Sequence, residues 1–303
     1  MTHSGLHLRA GFERLLGPNL MAYLLHLRPL EWPIMTAHFL LGTLLASGFA
    51  VPLKATTLGW FVFIVLMNGG TLAINSAFDQ DEGDIGYLKQ PPKPPKHLFQ
   101  VSAGMLLLGL GLGFLLPPVF AWSNALCVVM SVLYSVPPVR LKARAGWDLL
   151  INCLGFGLLT PLAGWGLTGR TPTPPFLALI LGFAFLFGAL YPLTQIYQIE
   201  EDRARGDRTM VIKLGETLSL GLALAMTVAA HACFAWALWA FPVSRIHLLL
   251  GLIPSLGIWG LVLIPWLLNW RSWSAQRHEA GMYRALVAWA VTDVSLLYLL
   301  WPK

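Results

Sequence analysis

Two acidic patterns of the same form, DxxxGD, stand at Asp79–Asp84 (DQDEGD) and Asp202–Asp207 (DRARGD). With the adjoining acids they gather eight of the fourteen carboxylates in the chain. The first pattern extends backwards: Asn75 and Asp79 are four residues apart, so on a helix they share one face, and Glu82 continues that stripe a turn later. In the second, Gln195, Gln198 and Asp202 follow at spacings of three and four, with Glu201 beside them. Paired carboxylates below loops rich in Lys and Arg suit a divalent cation such as Mg²⁺ bridging to a phosphate. The cation takes oxygen ligands, and the basic side chains neutralise the remaining phosphate charge. Solvated loop acids would explain one such cluster; two similar ones argue for a shared chemistry.

The elements that position these clusters are apolar. Hydrophobic residues make up 56% of the chain and charged residues 11%, and the mean hydropathy is +0.66, far from the balance of a soluble domain. Runs of about 20 apolar residues, enough to cross about 30 Å of hydrocarbon, fall at roughly 31–50, 57–77, 98–116, 119–136, 147–168, 175–198, 214–240, 246–268 and 282–301. The expectation is an all-α, polytopic membrane protein of about nine transmembrane helices. With the N-terminus cytoplasmic, sixteen of the twenty Lys and Arg fall on that side, leaving Lys54, Arg170, Arg245 and Lys303 on the other. That asymmetry is the one expected of cytoplasmic loops. Both acid clusters then emerge on the cytoplasmic side, at the ends of the second and sixth spans. In a bacterium the protein would lie in the inner membrane with its site facing the cytoplasm.

Residues 1–30 interleave basic residues with Leu and Phe and carry no small-residue cleavage site. They are expected to form an amphipathic segment along the membrane interface, followed by one transmembrane helical domain over 31–303. The pI near 9.4 reflects loops facing anionic lipid, and no nucleic-acid-binding motif accompanies it. Cys127, Cys153 and Cys233 all fall inside apolar spans without a CxxC, which gives no support to a disulfide or a zinc site. The recurrence of the acid pattern four helices later hints at internal duplication.

At these residues the chain resembles the UbiA superfamily of intramembrane prenyltransferases. The family motif NDxxDxxxD matches at Asn75, Ser76, Asp79 and then either Glu82 or Asp84, its last expected position holding Gly83. The motif DxxxDxxxG appears as Gln198, Asp202 and Gly206, followed by DRTMVIKLG. LRPLEWP at the first span and YSVPPVRLK, from Tyr134 to Lys142, extend the likeness along nearly the whole chain. The resemblance implies nine helices around a central cavity opening sideways to lipid. It implies two Mg²⁺ ions held by the two clusters, and a prenyl diphosphate held by the ions. Its reaction is ionisation of the carbon–oxygen bond, giving an allylic cation that an electron-rich lipophilic acceptor attacks.

Within that frame Asp79, Asp84 and Asp202 are the expected metal ligands, with Glu82 and Glu201 beside them. Asn75 offers a neutral oxygen. Lys89, Arg140 and Lys142 lie in loops able to clamp the distal phosphate, and Arg140 and Lys142 carry the catalytic assignment. Tyr134 and Gln198 complete the donor-binding set, and Phe78, Tyr134 and Tyr197 could shield the cation with ring faces. Two departures from the family stand out. Gln198 replaces an expected acid, removing a negative charge from a site whose metal affinity depends on charge count. The shift from Gly83 to Asp84 moves a carboxylate about 100° around a regular helix.

The remaining polar residues carry packing roles. His38 and His231 are isolated within spans, and Asp293 is a lone carboxylate in the last span, where pairing inside the bundle is expected. Asp148 opens the fifth span and is expected to cap it and pair with Arg144. Gly109, Gly111 and Gly113 signify close helix packing. Three functions satisfy the sequence. The leading one is a Mg²⁺-dependent prenyltransferase acting on an aromatic, quinone or pigment precursor. The others are a terpene cyclase of the same superfamily and a non-catalytic scaffold or carrier. A carrier would place its ionisable groups near mid-membrane, whereas here nearly all lie at the cytoplasmic ends.

Overall fold

Prolines and glycines punctuate the helices. The computed structural model describes residues 14–48, 50–79, 88, 90–240 and 245–300. Residues 1–13 of the N-terminal segment, Asp81, Glu82, Gly83 and Asp84 of the first motif, and Lys89 therefore lie outside the described residues. Among the described residues all regular structure is helical. Pro18 begins helix α1 (Pro18–His26), and Pro33 sits in the first turn of α2 (Trp32–Ser47), where a missing N–H costs nothing. α2 stops at Gly48, whose φ of 60° suits a residue without Cβ. α3 runs from Leu53 to Asp79, α4 from Leu98 to Gly113 and α5 from Pro118 to Ser135. α6 covers Trp147–Gly166, α7 Pro174–Ile196, and α8 is the single short helix Ile199–Ala204. α9 (Met210–Trp239), α10 (Arg245–Asn269) and α11 (Ala275–Leu300) complete the order.

Each of the nine expected spans falls on a helix, but only seven of these helices are long and apolar enough to cross a membrane. α2 and α4 have 16 residues each, about 24 Å of rise against about 30 Å of hydrocarbon. α2 is cut short by the left-handed Gly48. α4 ends in turns at Phe114, Leu115 and Leu116, ahead of Pro117. α9 starts earlier than expected and breaks at Gly215, whose φ of 75° is not helical.

The chain divides into two compact units, Met1–Val139 with Ala163–Arg170, and Arg140–Leu162 with Thr171–Lys303. In the first, Phe39 stacks on Phe63 at 5.5 Å, and Phe120 meets both rings edge-on. α4 lies close to α3 at Gly109, where an added Cβ would meet Leu66 at 3.1 Å, and close to α5 at Gly113, where it would meet Asn124 Nδ2 at 2.7 Å. The packing role expected of the glycines thus holds at Gly109 and Gly113; Gly111 faces open space.

In the second unit α7 is the centre, buried for most of its length. Gly157 of α6 rests against the Ala184 backbone of α7, and Gly182 of α7 lies under the Phe234 ring of α9. A polar chain ties α9, α10 and α11: His231 bonds the Thr227 carbonyl and Ser255, Ser255 donates to Thr292, and Trp259 donates to the same hydroxyl. His231 is therefore a packing histidine, as its isolation in the sequence suggested. Asp293 takes a hydrogen bond from the Trp289 side chain, a pairing inside the bundle.

Candidate functional site

In the first unit Asn75 and Asp79 occupy the last two turns of α3, both half-buried. A ladder joins this end of α3 to α5: Thr71 and Ser131 share a hydrogen bond at 2.6 Å, and one turn on Ser135 Oγ donates to Asn75 Oδ1 at 3.4 Å. Both partners advance by four residues, so the helices run parallel here and keep the same period. The ladder holds the side chain of Asn75 against Ser135. Arg28, from the LRPLEWP segment, has a left-handed φ of 49° and is 9% exposed. Its guanidinium donates to Ser76 at 3.4 Å, next to Asn75, and pairs with Glu31 at 3.8 Å. Sequence reasoning took this arginine only as part of a motif; its buried charge beside Asn75 makes it a functional candidate.

In the second unit the acidic motif folds back on itself. α8 ends at Ala204, Gly206 turns the chain with a φ of 75°, and the Asp207 N–H closes on the Asp202 carbonyl at 3.0 Å. A side chain at Gly206 would be strained in that left-handed conformation. Both carboxylates end up buried, Asp202 at 6% and Asp207 at 8% exposure. Arg205 donates through Nη2 to Asp202 Oδ1 and through Nε to Asp207 Oδ2 at 3.4 Å. Arg140 also donates to Asp207 with both terminal nitrogens, Nη1 to Oδ1 and Nη2 to the Oδ2 it shares with Arg205. Burial raises the Asp202 carboxyl to about 6, the neighbouring Arg205 pulling it back down and Asp207 pushing it up.

The loop that supplies Arg140 is joined to this turn through the backbone as well, Arg208 N–H donating to the Ala143 carbonyl at 3.1 Å. Arg140 itself is left-handed, with φ 36°. Lys142 follows in a short 3-10 turn and is 9% exposed. Asp148, fully buried, does not take the expected Arg144 side chain. Its Oδ1 accepts the Gly146 N–H at 2.8 Å, and its Oδ2 accepts the Gln195 amide at 2.9 Å and the Met210 N–H at 2.8 Å. The loop brings backbone and amide donors closer than Arg144, whose carbonyl instead accepts the Asp148 N–H.

Below the second motif an aromatic tier follows α7. Phe187, Tyr191 and Thr194 are half-buried at helical spacing, and Gln198 continues their line beyond the helix end. Phe156, carried on a π-helical stretch of α6 over Cys153–Leu159, stacks on Phe187 at 4.8 Å and 9°. Trp289 of α11 meets Phe187 edge-on at 5.8 Å, and Tyr191 lies 6.4 Å away on the other turn. Phe187 is thus held between α6 and α11. The rings expected for this role were others: Phe78 packs against Phe99 at 5.4 Å, while Tyr134 and Tyr197 are half-buried. The missed signal was the i, i+4 aromatic pair Phe187 and Tyr191, upstream of Gln195 and Gln198.

The structure therefore gathers Asp202 with Arg140 through Asp207 and Arg205, two residues outside the expected site. Gln198 caps the start of α8, its carbonyl accepting the Asp202 N–H at 3.0 Å. Glu201 stands apart, exposed and without a side-chain hydrogen bond among the described residues. Asp84, Glu82 and Lys89 lie outside the described residues.

Comparison with known proteins identifies the family. The pattern of the UbiA prenyltransferase family matches residues 32–290. A lycopene elongase/hydratase of Halobacterium salinarum is 27% identical over 233 residues, covering 66% of this chain and 82% of that relative. The lycopene elongase/hydratase of Haloferax volcanii is 30% identical over 179 residues, 57% of this chain and 58% of its own length. Among solved structures, a UbiA homolog from Archaeoglobus fulgidus bound to DMAPP and Mg²⁺ superposes with a TM-score of 0.67 at 19% identity, covering 90% of this chain and 99% of that one. A digeranylgeranylglyceryl phosphate synthase superposes at 0.70 with 17% identity, covering 93% and 99%. The chain belongs to the UbiA prenyltransferase family. It is a multi-pass membrane protein and a prenyltransferase.

Proposed function

We propose that this prenyltransferase uses Mg²⁺ to transfer a short prenyl group from an allylic diphosphate to a lipophilic linear polyene of the lycopene type. The observation that carries the reading is Asp202: a buried carboxylate in the second motif, flanked by arginines and standing at the head of a half-buried aromatic stripe. Diphosphate chemistry belongs to the charged end and hydrocarbon recognition to the rings. The polyene acceptor draws support from the haloarchaeal relatives, and the short allylic donor from the Archaeoglobus homolog, which is bound to DMAPP in one structure and to GPP in another.

The donor atoms fit the metal. Asp79, Asp202 and Asn75 offer oxygen only, and among the described residues no group of three or more His, Cys, Asp or Glu gathers into a cage. Mg²⁺ commonly takes one or two carboxylates and completes its shell with water and substrate phosphate. We assign Asp79 and Asp202, with Asp84, Glu82 and Glu201 in support, as the residues that would hold two ions. When bound, Mg²⁺ neutralises the diphosphate as the leaving group.

Arg140 and Lys142, with Lys89, bind the distal phosphate, while Asn75, Tyr134 and Gln198 orient the donor. The carbon–oxygen bond breaks with its electron pair leaving on the diphosphate. A carbon–carbon double bond of the acceptor then supplies the pair for the new bond, and the cation this leaves on the acceptor is discharged by loss of a proton to the released diphosphate. Tyr191, the ring of this tier nearest the second motif, offers its face to the cation, worth about 1–2 kcal/mol when desolvated, while Phe187 and Phe156 keep water from the apolar end of the site. The sites open to the cytoplasmic side, a reading supported by the distribution of Lys and Arg in the loops.

The test is diphosphate release by the purified protein from dimethylallyl diphosphate, with lycopene in mixed micelles. Release is expected only with Mg²⁺ and the acceptor, and the product should gain one prenyl unit by mass spectrometry. Release that survives Asp79→Ala combined with Asp202→Ala would overturn the metal assignment. A cyclised donor formed without acceptor would point to a terpene cyclase instead.

A further inference from the structure

We propose that Arg205 is a resident counter-ion of the second motif: it occupies Asp202 when no substrate is bound and yields that carboxylate only when a diphosphate arrives to receive the guanidinium. The inference rests on the metal role proposed for Asp202. Its basis is the geometry of one tight turn. Arg205 sits between the two acids in sequence and bridges them in space, one nitrogen on Asp202 and another on Asp207. The acids are nearly buried, with side chains 8% and 6% exposed, whereas the Arg205 side chain is 34% exposed. The carboxylates are tethered by the Asp207 N–H to Asp202 carbonyl bond, whereas the Arg205 side chain reaches solvent.

Charge then decides what can bind. Arg140 also lies on Asp207, so two guanidiniums face two carboxylates and their formal charges cancel. A dication approaching Asp202 must displace the charge-assisted hydrogen bond that Arg205 already makes to this buried acid. A diphosphate changes the balance, because its oxygens match the planar donor fork of Arg205. Once Arg205 turns to the diphosphate, Asp202 becomes an open anionic ligand beside it. Metal and donor should therefore bind with positive, reciprocal coupling. An unloaded site would hold little metal, and Arg205 would act as a positioning residue toward Asp202 and as a contact to the leaving group.

The experiment measures metal binding without turnover. Mn²⁺ binding to the full-length, detergent-purified protein is followed by electron paramagnetic resonance, first with Mn²⁺ alone and then with inorganic pyrophosphate added. Wild type is expected to bind Mn²⁺ weakly alone and about tenfold more tightly with pyrophosphate, a coupling of ordinary size. Arg205→Gln should bind Mn²⁺ alone about tenfold more tightly than wild type and lose most of the pyrophosphate effect, while Arg205→Lys should follow wild type. A purely structural ion pair would instead leave Arg205→Gln with unchanged or weaker Mn²⁺ binding at reduced thermal stability, and that result overturns the proposal. Should Arg205→Gln aggregate, wild type alone decides: equal Mn²⁺ affinity with and without pyrophosphate overturns the coupling. Unchanged Mn²⁺ binding in Asp202→Asn would remove the metal role itself, a failure of the underlying reading distinguishable from a failure at Arg205.

Discussion

Asp148 accepts the side-chain amide of Gln195 at 2.9 Å, and with the same oxygen the N–H of Met210 at 2.8 Å. Gln195 closes the circuit by accepting the Val211 N–H at 3.4 Å and donating to the Tyr191 hydroxyl at 3.2 Å. One buried carboxylate therefore joins the start of α6, the end of α7 and the start of α9, the three segments that flank the Asp202–Asp207 turn. Asp148→Ala would strip the Gly146 and Met210 N–H groups of their acceptor and leave the Gln195 amide only the Tyr191 hydroxyl, each unmet donor costing about 1–3 kcal/mol. The expected outcome is a fall in thermal melting temperature in detergent together with loss of diphosphate release. Asp148→Asn, which keeps one acceptor oxygen, should lie between the two.

The ladder between α3 and α5 predicts a milder effect. Ser135→Ala removes the donor to Asn75 at the end of the helix, while the Thr71–Ser131 pair one turn away still holds the helices together. A single hydrogen bond of this kind is worth about 0.5–1.5 kcal/mol. The melting temperature should scarcely move, whereas the KM for the allylic diphosphate should rise severalfold because Asn75 is no longer oriented. Steady-state kinetics at saturating acceptor checks this. A loss of stability comparable to that of Asp148→Ala would show that the serine serves packing instead.

Periodicity and charge made the helices legible, because apolar length and Lys/Arg asymmetry act through the chain's own sequence. The two acid-bearing helix ends were visible for the same reason: Asn75 with Asp79, and Gln198 with Asp202, share faces at helical spacing. What the sequence left hidden depends on loops and tertiary neighbours. Arg205 read as a flanking charge, and Asp207 as the last acid of the repeated pattern, until Gly206 folds the chain and brings both onto one turn. Asp148 looked poised for Arg144, yet the loop delivers Gln195 and Met210 from segments about 50 residues and more away. The ends of α2 and α4 depended on turn geometry at Gly48 and before Pro117, which hydropathy does not register.

Gly164 offers a test of the packing without touching the chemistry. A Cβ there would run into the Phe39 carbonyl, the backbone of a neighbouring helix that cannot swing aside. The same contact is tied by Thr43, whose hydroxyl donates to the Gly164 carbonyl at 2.9 Å. Gly164→Ala is expected to destabilise the protein by about 1–3 kcal/mol, the usual cost of overpacking. Gly111→Ala, at a site with nothing within 4 Å, should be neutral or slightly stabilising. Melting curves of the two variants in the same detergent give the comparison.

The aromatic tier predicts a separation between the two substrates. Phe187 stacks on Phe156 and meets Trp289 edge-on, and about 14 Å of helix rise separates it from the end of α7 at Ile196. A five-carbon donor held by its diphosphate near Gln198 and Asp202 would not extend that far, so Phe187 should contact the polyene. Removing one ring forfeits aromatic contacts of about 0.5–1.5 kcal/mol each, which over the contacts with Phe156, Trp289 and substrate corresponds to roughly a tenfold loss in kcat/KM. Phe187→Ala is therefore expected to raise the KM for lycopene with little change in the KM for dimethylallyl diphosphate, and Phe187→Tyr should retain most of the activity. If Phe187→Ala instead raises the donor KM alone, the stripe holds the donor chain, and the preferred donor must be longer than five carbons. Competition between dimethylallyl and geranylgeranyl diphosphate in the same variant would then measure how long.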